Sequence, residues 1–205
     1  MLIKISRQAC LSKYPCLPQR NYNPDTDEED YSYPKVFKTY ILTVASMSFK
    51  GHITQLGSAL LQLTKQFNYE SLIFLGDTPL AWLHQKNDYK PAKEAQDYLV
   101  THKIGKRFNG GIQVAAHDMA TFIKHISWLT RCNAVLPYVY FTDKGQNIIG
   151  HICQYGNLHL DTLNEQTDNQ LKKFMVVSKF TYLKDGNCSN QFGKKGAVAG
   201  RRISI

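Results

Sequence analysis

No run of about 18 apolar residues occurs anywhere in the chain, so no membrane-spanning helix is expected. Lys4, Arg7 and Lys13 are scattered among the first apolar residues instead of preceding an apolar block, so no secretory leader is expected either, and the implied location is cytoplasmic. Paired cysteines are missing. Cys10, Cys16, Cys132, Cys153 and Cys188 are odd in number, scattered and never spaced C-x-x-C, which fits reduced, buried thiols better than a disulfide framework or a structural zinc site. P-loop, G-x-G-x-x-G, H-E-x-x-H and G-x-S-x-G motifs are also missing, which argues against P-loop nucleotide hydrolysis and the common hydrolases. No cofactor or metal is therefore expected.

Acidic residues are scarce at both ends. Residues 172–205 hold eight Lys or Arg against Asp185 alone, a net +7 of the chain's +9, and residues 1–20 add +4, so the body is near neutral. A polyanion is the usual partner of such a distribution, because each cation placed near a phosphate releases a condensed counterion; the alternative is a solubilising tail. Lys184, Lys194, Lys195, Arg201 and Arg202 of the tail, with Lys103, Lys106 and Arg107 of an internal loop, are the candidate backbone contacts. Tyr182, Phe192 and Phe108 are interleaved with them and suited to stacking on unpaired bases, so RNA or single strands are favoured.

With 205 residues, 43% of them hydrophobic, the chain can bury one substantial core. Its clearest stretch is 112–161. A short apolar run at 112–115 precedes Met119, Phe122, Ile123, Ile126 and Leu129 at helical spacing, with Asn133 and Pro137 as stops. Strands follow at 138–141, 147–153 and 158–162, separated by the turn formers Asp143-Lys144-Gly145 and Tyr155-Gly156-Asn157. A similar strand, helix and strand occupy 36–45, 52–67 and 72–75. The expected fold is α/β or α+β, a ferredoxin-like pair of βαβ units around one mixed sheet.

The domain plan is an irregular N-terminal segment at 1–35, punctuated by Pro15, Pro18, Pro24 and Pro34 after a short edge strand, then a core at 36–180. The core carries an insertion at 78–111, with a helix from Pro91 to Thr101, and a basic, Gly-rich tail follows at 181–205. Thr167 and Gln170 have capping-box spacing before a helix through Leu171 and Phe174, and 202–205 offers a last strand. Asp25, Asp27, Glu28, Glu29 and Asp30, followed by Tyr31 and Tyr33, form an acidic segment that suits a solvated loop or a protein partner, as in an inhibitor or anti-defence protein of a mobile element.

Two constellations could carry chemistry. His52-Ile53-Thr54 and His125-Ile126-Ser127 resemble the paired His-x-(Thr/Ser) triplets of two-histidine phosphoesterases. That resemblance implies an acid and a base across a phosphodiester, with Thr54 and Ser127 holding its oxygens; in that family the triplets lie on strands. The second constellation is His151, Cys153, His159 and Asp161. A three-residue hairpin loop with Gln154 facing Leu158 places Cys153 opposite His159 and His151 opposite Asp161, all on one side, as a metal site or a Cys-His nucleophile would need. The plainer reading makes Cys153 core and the histidines sheet surface. The alternation predicts Ile148 and Ile152 packed under the helix, Gly150 leaving it room, and His151 and Cys153 on the other face.

Overall fold

A computed structural model of the chain describes residues 2–23, 25–84, 86–132, 138–183, 188 and 192. In chain order its elements are β1 (Leu2–Ile5), α1 (Arg7–Lys13), β2 (Gln19–Asn23), β3 (Glu28–Ser32), β4 (Lys38–Thr43), α2 (Phe49–Gln66), β5 (Ser71–Gly76) and α3 (Lys90–Thr101). Next come β6 (Gly111–Ala115), α4 (Met119–Cys132), β7 (Val139–Asp143), β8 (Ile148–Ile152), β9 (Leu158–Thr162), α5 (Glu165–Val177) and β10 (Thr181–Tyr182). Eight strands form one sheet in the order β1, β6, β5, β7, β8, β9, β4, β10, with every pairing antiparallel, while β2 and β3 make a separate hairpin. The class is α+β. No helix among the described residues is long and apolar enough to cross a membrane.

Both expected βαβ connections exist, but they do not interleave as in a ferredoxin-like sheet. β6 and β7 run parallel on either side of β5, whereas β7, β8 and β9 lie between the parallel pair β4 and β5. The cause is the β8–β9 hairpin, which pairs with β7 on one side and β4 on the other, wedging the two units apart.

Leu56, Leu60 and Leu63 of α2 and Phe122, Ile126 and Leu129 of α4 face the sheet as one continuous core with Phe74, Ile112, Phe141, Ile148, Ile152 and Leu160. The helices touch at Gly57, where a Cβ would stand 2.7 Å from the Ala120 carbonyl oxygen. Ile148 and Ile152 lie under the helices as the alternation predicts. Gly150 does so for a different reason: a Cβ there would lie 2.3 Å from the ring of Phe141, its cross-strand partner, so the ring and not a helix fills the space. α5 is capped three residues earlier than its capping-box spacing suggests, by Asn164, whose side chain accepts from the Thr167 amide. α4 ends at Cys132, and Asn133 and Pro137 lie outside the described residues.

The N-terminal segment is structured, contrary to the expectation of an irregular 1–35. Its prolines flank elements and do not interrupt them: α1 is capped by Ser6, whose hydroxyl accepts from the Ala9 amide, and finishes before Pro15, and β2 starts after Pro18. Cys10, Tyr14 and Leu17 then cover the second face of the sheet by packing on Ile73, Leu75, Tyr140 and Ile149. β1 and β10 are the two outermost strands, so the sheet extends past both ends of the expected 36–180 core.

Candidate functional site

The two His-x-(Thr/Ser) triplets lie on α2 and α4, not on strands. Thr54 donates to the Lys50 carbonyl and Ser127 to the Ile123 carbonyl, each one turn back along its own helix. His52 is completely buried, with Nδ1 3.0 Å from the Val44 carbonyl oxygen and Nε2 2.9 Å from that of Gly156. His125 instead stacks on Tyr98 of α3, ring centroids 4.3 Å apart. Burial lowers both imidazole pKa values; the two carbonyls oppose this at His52, and Lys124 reinforces it at His125. Neither triplet presents a free imidazole beside a free hydroxyl, so the phosphoesterase arrangement is not what these residues build. His52 is a tie between the end of β4 and the β8–β9 loop.

Lys103, Lys106 and Arg107 are exposed in the α3–β6 loop, beside β1, where Lys4 Nζ donates to the Lys103 carbonyl. Tyr182 is 44% exposed at the opposite edge, on β10, and leans on Tyr40. The two edges of an eight-stranded sheet are separated by roughly 30 Å, so the loop of Lys103, Lys106 and Arg107 lies far from Tyr182. Two of the proposed stacking rings are already engaged. Phe108 packs on the core under Lys4, and Phe192 packs on Phe49 and His52. Lys184, Lys194, Lys195, Arg201, Arg202 and the strand expected at 202–205 lie outside the described residues.

The β8–β9 hairpin brings chemistry-bearing groups together more closely than any other described element. His151 pairs with His159 and Ile149 with Asp161, two residues out of step with the expected partners. The loop is five residues long because the Cys153 amide donates to the Asn157 carbonyl at 3.0 Å and the Gly156 amide to the Cys153 carbonyl at 2.9 Å. A slip of two preserves facing, so His151, Cys153, His159 and Asp161 do share the face opposite the helices. Gly156 takes φ +86°, which favours glycine, and its carbonyl is held by His52. Arg131 of α4, lying 4.1 Å over the Phe49 ring, holds the loop from a second side by donating to the Gln154 carbonyl at 3.1 Å.

Cys188 completes this group from the tail. Its Sγ stands 3.1 Å from Cys153 Sγ and accepts from Asn157 Nδ2 at 2.9 Å. Donation from Cys153, then His159 and Asn157, pulls the Cys188 thiol down to about 5 against the effect of burial, while Cys153 is raised by its bond to Cys188 and by burial. The His159 ring stacks on His151 at 4.5 Å, and its Nε2 is buried with no partner in ordinary hydrogen-bond geometry.

Tyr31, Tyr33, Tyr140, His151 and Asp161 continue the same face. Tyr31 and Tyr140 share a hydroxyl hydrogen bond of 2.7 Å, Tyr33 donates to Asp161, and the Tyr140 ring meets His151 edge-on. The tyrosines of the acidic segment thus bind the chain's own sheet, leaving Glu28, Glu29 and Asp30 exposed. Asp77, at the end of β5, is buried beside Arg20, whose Nε lies 3.5 Å away. The sequence gives no sign of Arg20, Asp77, Arg131, Asn157 and Cys188 as partners, because each meets a residue distant in the chain and none lies in a recognisable local motif. No family model, no curated protein and no solved structure matches the chain.

Proposed function

We propose that the protein binds nucleic acid, with single strands or RNA favoured, through its C-terminal basic segment. The observation that carries this reading is the net +7 over residues 172–205 beside a near-neutral body. Exposure supports it: Lys173 and Lys179 face solvent, and Tyr182 offers a ring at the sheet edge. Lys172 is a weaker contributor, because its ammonium lies 2.6 Å from the buried carboxylate of Asp168. The exposed loop of Lys103, Lys106 and Arg107 lies roughly 30 Å from Tyr182, across the sheet, and a strand that reaches both would gain avidity. Phe108 and Phe192 are removed from the stacking set by their packing.

The full chain purified at low salt should carry nucleic acid, seen as excess ultraviolet absorbance, and a high-salt wash should remove it. Material free of nucleic acid at low salt, together with no retention of an added oligonucleotide, would count against the proposal.

A further inference from the structure

We propose that Cys153, His159 and Cys188 form a binding site for a divalent, thiol-seeking metal ion, with Zn²⁺ the best match to two sulphurs and one imidazole. The donor atoms of these three residues all lie within 4.8 Å of one another. Zn–S bonds of about 2.3 Å in a tetrahedron put two sulphurs about 3.8 Å apart, so the 3.1 Å separation found here must open by about 0.7 Å. The donors come from a well-braced framework. Cys153 directly follows β8, His159 lies on β9, and the loop between the strands is held by His52 through Gly156 and by Arg131 through Gln154. Asn157 already donates to the Cys188 sulphur, as outer-sphere donors to metal thiolates do.

Charge and hydrogen bonding favour the same occupant. Binding displaces the thiol protons of the two cysteines to water and leaves two thiolates, one neutral imidazole and M²⁺, a neutral set suited to a half-buried place. It also offers the imidazole of His159, which already interacts with the Cys188 sulphur and whose buried Nε2 has no partner in ordinary hydrogen-bond geometry, a ligand bond. A disulfide is the rival product of two close sulphurs, but it needs S–S near 2.05 Å and gives His159 nothing. Three protein donors leave the fourth tetrahedral position for water or an exogenous ligand. The cysteine spacing in the sequence, without any C-x-x-C, gives no hint of this site. It would fasten the start of the basic tail to the β8–β9 hairpin, and it stands independently of nucleic-acid binding.

Cobalt(II) titration of the reduced full chain tests the site. One equivalent should produce sulphur-to-metal charge transfer and the visible bands of tetrahedral cobalt, and Zn²⁺ should bleach them. Cys188→Ser and His159→Gln should each abolish the bands, while Cys132→Ser, outside the cluster, should leave them unchanged. Circular dichroism matching the native chain in Cys188→Ser excludes unfolding as the cause. Absence of sulphur charge transfer in the native chain, bands that survive Cys188→Ser, or a Cys153–Cys188 disulfide that forms in the presence of excess Zn²⁺ would each overturn the proposal.

Discussion

Replacing Lys184, Lys194, Lys195, Arg201 and Arg202 together by Gln in the full chain should lower affinity for a single-stranded oligonucleotide about 100-fold near 50 mM salt. Each cation near a phosphate contributes roughly 0.7 to the logarithmic salt slope on a single strand. Five such contacts amount to a slope of about 3.5, and their loss should leave a weak, nearly salt-independent residue of binding. An unchanged unfolding midpoint would show that the loss is one of binding and not of folding. Lys103→Gln, Lys106→Gln and Arg107→Gln together should cost less, because they remove three cations where the tail substitutions remove five. No loss from the tail substitutions would contradict the tail's role.

His52→Ala should destabilise the fold by roughly 3 kcal/mol, measured as a shift in urea midpoint at constant slope, since it empties a fully buried site and removes the ring N–H that serves the Val44 or the Gly156 carbonyl. His125→Ala, which loses one stacked and half-buried ring, should cost about 1 kcal/mol. The pH dependence carries a definite sign. Both imidazoles have folded pKa values below the unfolded value of about 6.5. The unfolded chain therefore binds more protons in the window beneath that value. Stability is complete above about pH 6.5 and falls as pH drops toward 5. His52→Ala should flatten part of that fall, and a profile as steep as the native one would show that His52 is not held neutral in the fold.

Helical spacing in α2 and α4 and the alternation around Gly150 were readable in the sequence because both report burial directly: Leu56, Leu60 and Leu63 recur by three and four, and Ile148 and Ile152 share one face of β8. Local rules were weaker where polar residues build the element. β3 has every residue exposed and no alternation to detect, and the seven-residue α1 was hidden by its neighbouring prolines. Strand order was not readable at all, because the wedge of β8 and β9 between β7 and β4 is set by long-range pairing. The hairpin shows the boundary well: facing followed from the period of two, whereas loop length depended on where the Cys153 amide closes on Asn157. The Cys188 partner lies 35 residues beyond Cys153, and nothing in the spacing of the five cysteines links them.

The central claim is most directly tested by the salt dependence of single-strand binding to the native full chain. A plot of log K against log salt should be linear with a slope of about −3 to −4, reflecting around five phosphate contacts. A slope near zero, or no binding even in the lowest salt, would contradict the account.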